Sequence, residues 1–148
     1  MKRTCFLLIV FLTSLTFIHA QTTAHEMEAL LRSRAVSYSQ AARFVLEASS
    51  QATLSSQQQA FQYAQENGLL PVGACADGAA RLDGIAFLLM NSFGLPGGLM
   101  YYITKDPHYA YRELIHKNII QGRVLGSTPV SGEQLLFLTG RMLSYVEN

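Results

Sequence analysis

The chain is poor in cysteine, in net charge and in strand-like alternation. Its two cysteines are Cys5, inside an apolar N-terminal run, and Cys75. Removal of that run would leave one thiol, so no disulfide could form within the chain and packing would have to supply the stability. Charged residues make up 14% of the sequence and sum to +1. A chain this close to neutral has no electrostatic footprint for nucleic acid or for anionic lipid. The signatures of two large enzyme classes are missing as well. Gly94, Gly97 and Gly98 are not followed by Gly-Lys-Ser/Thr, so they do not make a phosphate loop. No Gly-x-Ser-x-Gly elbow is present.

What is present begins with a leader. Lys2 and Arg3 precede an uncharged apolar run over residues 5–18. That run is shorter than the ~20 residues of a membrane span. Ala20 supplies a small residue before a cut at Gln21, and Ala24 offers a second site. Residues 1–20 therefore read as a secretory signal, with a retained N-terminal anchor as the alternative. This predicts export, to the periplasm or cell envelope. Residues 21–148 then make one domain, and loss of Lys2 and Arg3 brings its net charge to about −1.

Helix signals dominate that domain. Four pairs have the spacing of a capping box: Thr23 with Glu26, Ser37 with Gln40, Ser55 with Gln58, and Ser131 with Gln134. Asp106-Pro107 is a further helix start, with an acceptor at the cap and proline at the first helical position. Apolar residues keep helical spacing at Met27, Leu30 and Leu31, and at Ala41, Phe44, Val45 and Ala48. They do so again at Phe61 and Ala64 beside Tyr63, and at Ile85, Leu88 and Leu89. Two more faces comprise Tyr111, Leu114 and Ile115, then Leu135, Leu138, Met142 and Tyr145. The helix around Leu88 is apolar nearly all round, which predicts a central position. Residues 85–103 carry no charge, but Asn91, Ser92, Pro96 and Gly97-Gly98 interrupt them. The expectation is a buried helix, a tight loop and a short aromatic segment at Met100, Tyr101 and Tyr102.

The sequence also echoes itself. Ala60-Phe61 opens a helix-like stretch that ends at Asn67-Gly68-Leu69-Leu70, and Ala110-Tyr111 opens one that ends at Lys117-Asn118-Ile119-Ile120. A second phrase recurs at Val36-Ser37, Ala79-Ala80 and Val130-Ser131, each time leading into an apolar helix. The phrase places Tyr38, Arg81 and Gly132 at one position, and Gln40, Asp83 and Gln134 at another. The order predicts about two and a half helix–loop–helix units sharing one core by stacking.

This grammar resembles the S-layer homology domain, whose repeats open on a Val-Thr-Arg-Ala-Glu-like phrase and run through an Asp and an aromatic-Ala helix to a Gly-Ile-Ile-x-Gly-like end. Asp106, Tyr109-Ala110 and Ile119-Ile120-Gln121-Gly122 match best, followed by Val130-Ser131 and the final helix. The resemblance covers most of residues 36–146. It implies a non-enzymatic envelope protein that binds or scaffolds, with cell-wall polysaccharide or an envelope protein as partner. It also implies ligand contact through the phrase's arginine. Only Arg81 fills that place, and Asp83 alone keeps the acid. A neutral Tyr38 or Gly132 cannot make the forked ion pair of an arginine.

The candidate ligand-binding residues are thus Arg81 and Asp83 by resemblance, with Tyr101 and Tyr102 as aromatics in a loop-like context. The last unit lacks a second helix, so a further copy of the chain could complete its edge. The rival expectation is a small periplasmic hydrolase using Cys75 or Asp83 with a distant histidine. Neither metal nor cofactor is expected. Glu113 and His116 share a helix face, but the second acid–imidazole pair of a bundle metal site is missing.

Overall fold

The computed structural model describes residues 24–122 and 124–147. The expected leader and Thr23 lie outside them. Every element described is helical. α1 covers 24–32 and belongs to a first unit, with an exposed Glu28–Arg32 pair at 2.6 Å one turn apart. The second unit holds α2 (Tyr38–Ala48), α3 (Gln57–Glu66), α4 (Leu82–Ser92), α5 (Leu99–Thr104), α6 (Pro107–His116) and α7 (Gly132–Glu147). No helix among the described residues is long and apolar enough to cross a membrane.

Helix starts follow from local chemistry. Ser37 and Gln40 form the expected capping box, each satisfying the other's backbone amide. Ser131 Oγ accepts from the Gln134 amide at 3.2 Å, and Asp106 caps α6 with Pro107 in its first turn. The third start moves by one residue. Ser56 is the cap of α3 and accepts from the Gln59 amide, while Ser55 donates to the Gln59 side chain. Adjacent serines made both frames available, and only the backbone geometry chooses between them.

The helices are gathered at their starts by a ring of three peptide hydrogen bonds. The Val36 amide donates to the Val130 carbonyl at 2.8 Å. The Val130 amide donates to the Ala80 carbonyl at 2.9 Å, and the Ala80 amide to the Val36 carbonyl at 2.8 Å. All three residues are fully buried. The segment entering each helix thus bonds to the other two. Outside the ring, each segment also satisfies a neighbouring helix N-terminus. Tyr38 and Ser39 amides of α2 donate to Gly78 and Ala76 carbonyls, and Leu82 and Asp83 amides of α4 donate to Thr128 and Gly126. The Gly132 amide of α7 donates to Ser33. Helix starts that would otherwise leave orphan amides are closed by backbone from the next segment.

The central helix is α4, in which every residue except Asp83 and Asn91 is buried. α3 packs on α2, and α6 on α4. The ends of α3 and α6 are built alike. Leu69 donates to Ala64 at 2.8 Å after a left-handed Gly68, and Ile119 donates to Leu114 at 2.9 Å after a left-handed Asn118. The ends of α2 and α4 also match: Gln51 donates to Leu46 after left-handed Ser50, and Leu95 to Met90 after left-handed Gly94.

Some apolar faces lie a little to one side of those expected. In α2 the buried residues include Ala41, Ala42, Val45 and Leu46, and Phe44 is only partly covered. Leu31, Ile115 and Tyr145 are exposed. The short aromatic segment expected in a loop-like context lies in the helix α5.

Gly84 marks a close approach in the core. A Cβ there would collide with the Tyr38 hydroxyl and stand 2.9 Å from two of its ring carbons. Tyr38 is itself buried and rigid, so it cannot step aside cheaply. Gly84→Ala is expected to cost about 1–3 kcal/mol by overpacking. Gly140→Ala, where a Cβ meets nothing within 4 Å, is expected to gain about 0.5–1 kcal/mol from helix propensity. Urea unfolding of the two variants should therefore move in opposite directions.

Candidate functional site

Two of the four expected ligand-binding residues meet in a groove of about 580 Å³. Arg81 and Asp83 line it with Tyr38, Cys75, Asp106 and His108, and with the loop that runs from Pro71 to Ala74. Tyr101 and Tyr102 lie elsewhere. They border a separate hollow of about 280 Å³ together with Asn91, Leu95 and Lys105.

The backbone sets the groove. Arg81 is the cap residue of α4, where Ser37 caps α2 and Ser131 caps α7. It makes no side-chain cap bond, because a guanidinium has no acceptor to offer an amide, and the Thr128 and Gly126 carbonyls serve the amides that follow instead. The guanidinium is free to turn outward. This moves the frame read from the sequence by one residue. The ring partner of Val36 and Val130 is Ala80, not Ala79, so Leu82 stands beside Tyr38 and Gly132, and Arg81 beside the two serines. The Ala79-Ala80 pair is degenerate in sequence, and only the hydrogen-bond ring distinguishes its members.

Arg81 Nη2 meets Asp83 Oδ2 at 2.6 Å, and the other Asp83 oxygen accepts from the Gly84 amide at 2.8 Å. The arginine side chain is 55% exposed and the aspartate side chain 16%. Such a surface pair contributes at most ~1 kcal/mol to stability. Its greater effect is on the groove's charge. A ligand that engages Arg81 must share it with Asp83, and Asp106 adds a second acid whose Oδ1 is held by the His108 amide at 2.7 Å. The groove is thus mixed in sign and rich in hydrogen-bonding groups rather than a trap for a strong anion.

Tyr38 forms the buried wall. Burial pushes its phenol above the usual tyrosine range, and the nearby Asp83 charge pushes the same way. A hydrogen bond with the Arg81 backbone and the Arg81 charge oppose that shift. The sequence offered no signal for this residue's role, because its partner Gly84 is brought to it only by the fold.

The two exposed-aromatic candidates divide. Tyr101 is buried, at 3% exposure, contrary to the loop setting expected for it. Its hydroxyl donates to Asn91 Oδ1 at 2.9 Å, and its ring meets Phe87 edge-on at 6.1 Å. It anchors α5 to α4 and cannot stack on an external ligand. Tyr102 is 74% exposed. Lys105 Nζ lies 5.0 Å from the Tyr101 ring centre and 5.8 Å from that of Tyr102.

Cys75 and His108 both line the groove, but their polar atoms are used apart. The exposed thiol donates to the Gly73 carbonyl at 3.8 Å. His108 is exposed, with its ring edge-on to Tyr109. Among the described residues no hydrogen bond joins Cys75 to a histidine, and no cluster of three His, Cys, Asp or Glu could hold a metal ion. Glu113, on the face of α6 shared with His116, accepts from the Gly98 amide at 2.8 Å.

Burial raises the phenol of Tyr101 as it does that of Tyr38, against the Asn91 hydrogen bond. Both groups hold their protons more tightly folded than unfolded. Their stabilisation is complete below the unfolded tyrosine pKa of about 10 and is lost as pH rises beyond it. The urea midpoint should fall between pH 9 and pH 11 (roughly spanning that pKa), and the fall should be smaller in Tyr38→Phe and in Tyr101→Phe.

Compared with known proteins, the chain matches no family model, no curated protein and no solved structure.

Proposed function

We propose that the chain is a non-enzymatic binding module built from degenerate helix–loop–helix repeats of the S-layer homology kind. On this reading it is exported to the cell envelope, where it holds cell-wall polysaccharide in the groove beside Arg81. The observation that carries the reading is the three-way backbone ring. A Val-Ser phrase, its Ala-Arg counterpart and a second Val-Ser phrase bond to one another in turn, and each leads into a helix. The matched ends of α3 with α6, and of α2 with α4, support the same reading.

The groove's chemistry narrows the ligand. Arg81 and Asp83 together present donors and acceptors side by side, the arrangement that suits the hydroxyls of a sugar. A neutral or weakly acidic polysaccharide fits this better than a polyanion, because Asp83 and Asp106 offset the one arginine. In the frame that the ring sets, the family's arginine position holds Tyr38, Leu82 and Gly132, so Arg81 enters the groove from the adjacent cap position and the ligand is held through that one groove.

Retention of the purified chain on isolated cell wall tests this. Wild type should be retained, and Arg81→Ala should lose about tenfold or more of its affinity if a charge-assisted bond of roughly 1.5–3 kcal/mol is removed. Unchanged retention in the variant would remove Arg81 from the account. Absence of retention by either form would point to an envelope protein as the partner.

A further inference from the structure

The groove beside Arg81 holds fixed charges of both signs and one side chain that can change their balance. Arg81 is positive, whereas Asp83 and Asp106 are negative, so the acids are in excess. Hydrogen bonding does not remove that excess. Asp83 stays ionised while it accepts from Arg81 and the Gly84 amide, and Asp106 stays ionised while it accepts from the His108 amide. His108 is the one imidazole among the described residues that line the groove. Histidine is the side-chain type whose charge ordinarily changes between about pH 5 and pH 8.

The repeat shows that helix-starting chemistry does not require this histidine. Ser56 caps α3 and Asp106 caps α6, and the left-handed residues Gly68 and Asn118 follow their caps at the same distance. In that frame Gln58 of α3 stands where His108 stands in α6. A hydroxyl cap and a neutral amide thus serve the same backbone geometry. The acid and the imidazole occur at the helix start that borders Arg81.

We propose that His108 makes the groove's hold on carboxylated polysaccharide pH-dependent, tightening it when the imidazole takes up a proton. This rests on the reading of the groove as a polysaccharide site and adds the regulation of that site. Near the alkaline end of the range, a carboxylate on the polymer meets an arginine already shared with Asp83, and the excess acid repels it. Near the acid end, the imidazolium cancels the excess, and both of its ring nitrogens donate. The phenol of Tyr38 from α2 and the thiol of Cys75 from the loop before α4 take no positive charge, and neither does the Tyr109 ring beside His108. Asp77 on that loop, Lys105 after α5 and Arg112 one turn along α6 are common to wild type and to any His108 variant, so they cancel between the two. His108 is exposed, so water and salt screen its charge and the gain is about fivefold at low salt.

The test is low-salt retention of the full chain on isolated cell wall, and on the same wall with its carboxylates converted to amides, at about pH 5 and about pH 8. Wild type should be held about fivefold more strongly on untreated wall at the lower pH, and the gain should shrink on the amidated wall. His108→Gln, which installs the residue of the matching position in α3, should lose the gain. His108→Arg, charged throughout, should hold untreated wall at the higher pH as wild type does at the lower. Wild-type retention that does not change with pH, or a gain that His108→Gln keeps, overturns the proposal. If Arg81→Ala still weakens retention in that case, the reading of the groove as a polysaccharide site stands without it. Absence of wild-type retention on both walls would overturn that reading, and the proposal with it.

Discussion

Three buried peptide groups hold the second unit together at one point. Val36, Ala80 and Val130 each give an amide to one neighbour and a carbonyl to the other, so the ring closes with none of these donors or acceptors left over. Leaving one such group unpaired in the interior costs about 1–3 kcal/mol, far more than the net worth of an ordinary exposed contact. The ring also fixes where α2, α4 and α7 begin, and therefore which side chains stand beside them. Arg81 reaches the groove because Ala80 is fixed beside Val36, and Gly84 meets Tyr38 because α2 and α4 start at one level.

The helical class and the starts of α2, α6 and α7 were legible in the sequence because their causes are local. Ser37 with Gln40, and Asp106 with Pro107, specify their helices within four residues. Leu88 and its neighbours announced a central helix because a segment apolar on every side has nowhere else to go. The misplacements share a cause of another kind. Ser55-Ser56 and Ala79-Ala80 are pairs of identical residues, and either member satisfies a local rule. At Ala79-Ala80 the long-range hydrogen-bond ring made the choice, and the phrase containing Arg81 moved by one position as a result, whereas at Ser55-Ser56 the backbone geometry of the helix start made it.

α5 was hidden for a different reason. Pro96 and the Gly97-Gly98 pair before it make the stretch look like a loop, and its six residues are too few to show a helical period. Tyr101 was read as exposed because nothing in the sequence says that Asn91, one helix away, will take its hydroxyl. The candidate site divides along the same line. Arg81 and Asp83 are close in sequence and remain close in space. Tyr38 from α2, and Asp106 with His108 from the start of α6, come to them from two other places in the chain, and no local pattern could have gathered them.

If the ring is what unites the helices, its amides must open only when the whole unit opens. Native-state hydrogen exchange measured at Val36, Ala80 and Val130 tests this most directly. The account predicts that all three exchange among the slowest amides, with one shared opening free energy equal to that of global unfolding. An amide of the three that exchanges freely, or at its own lower free energy, would contradict it.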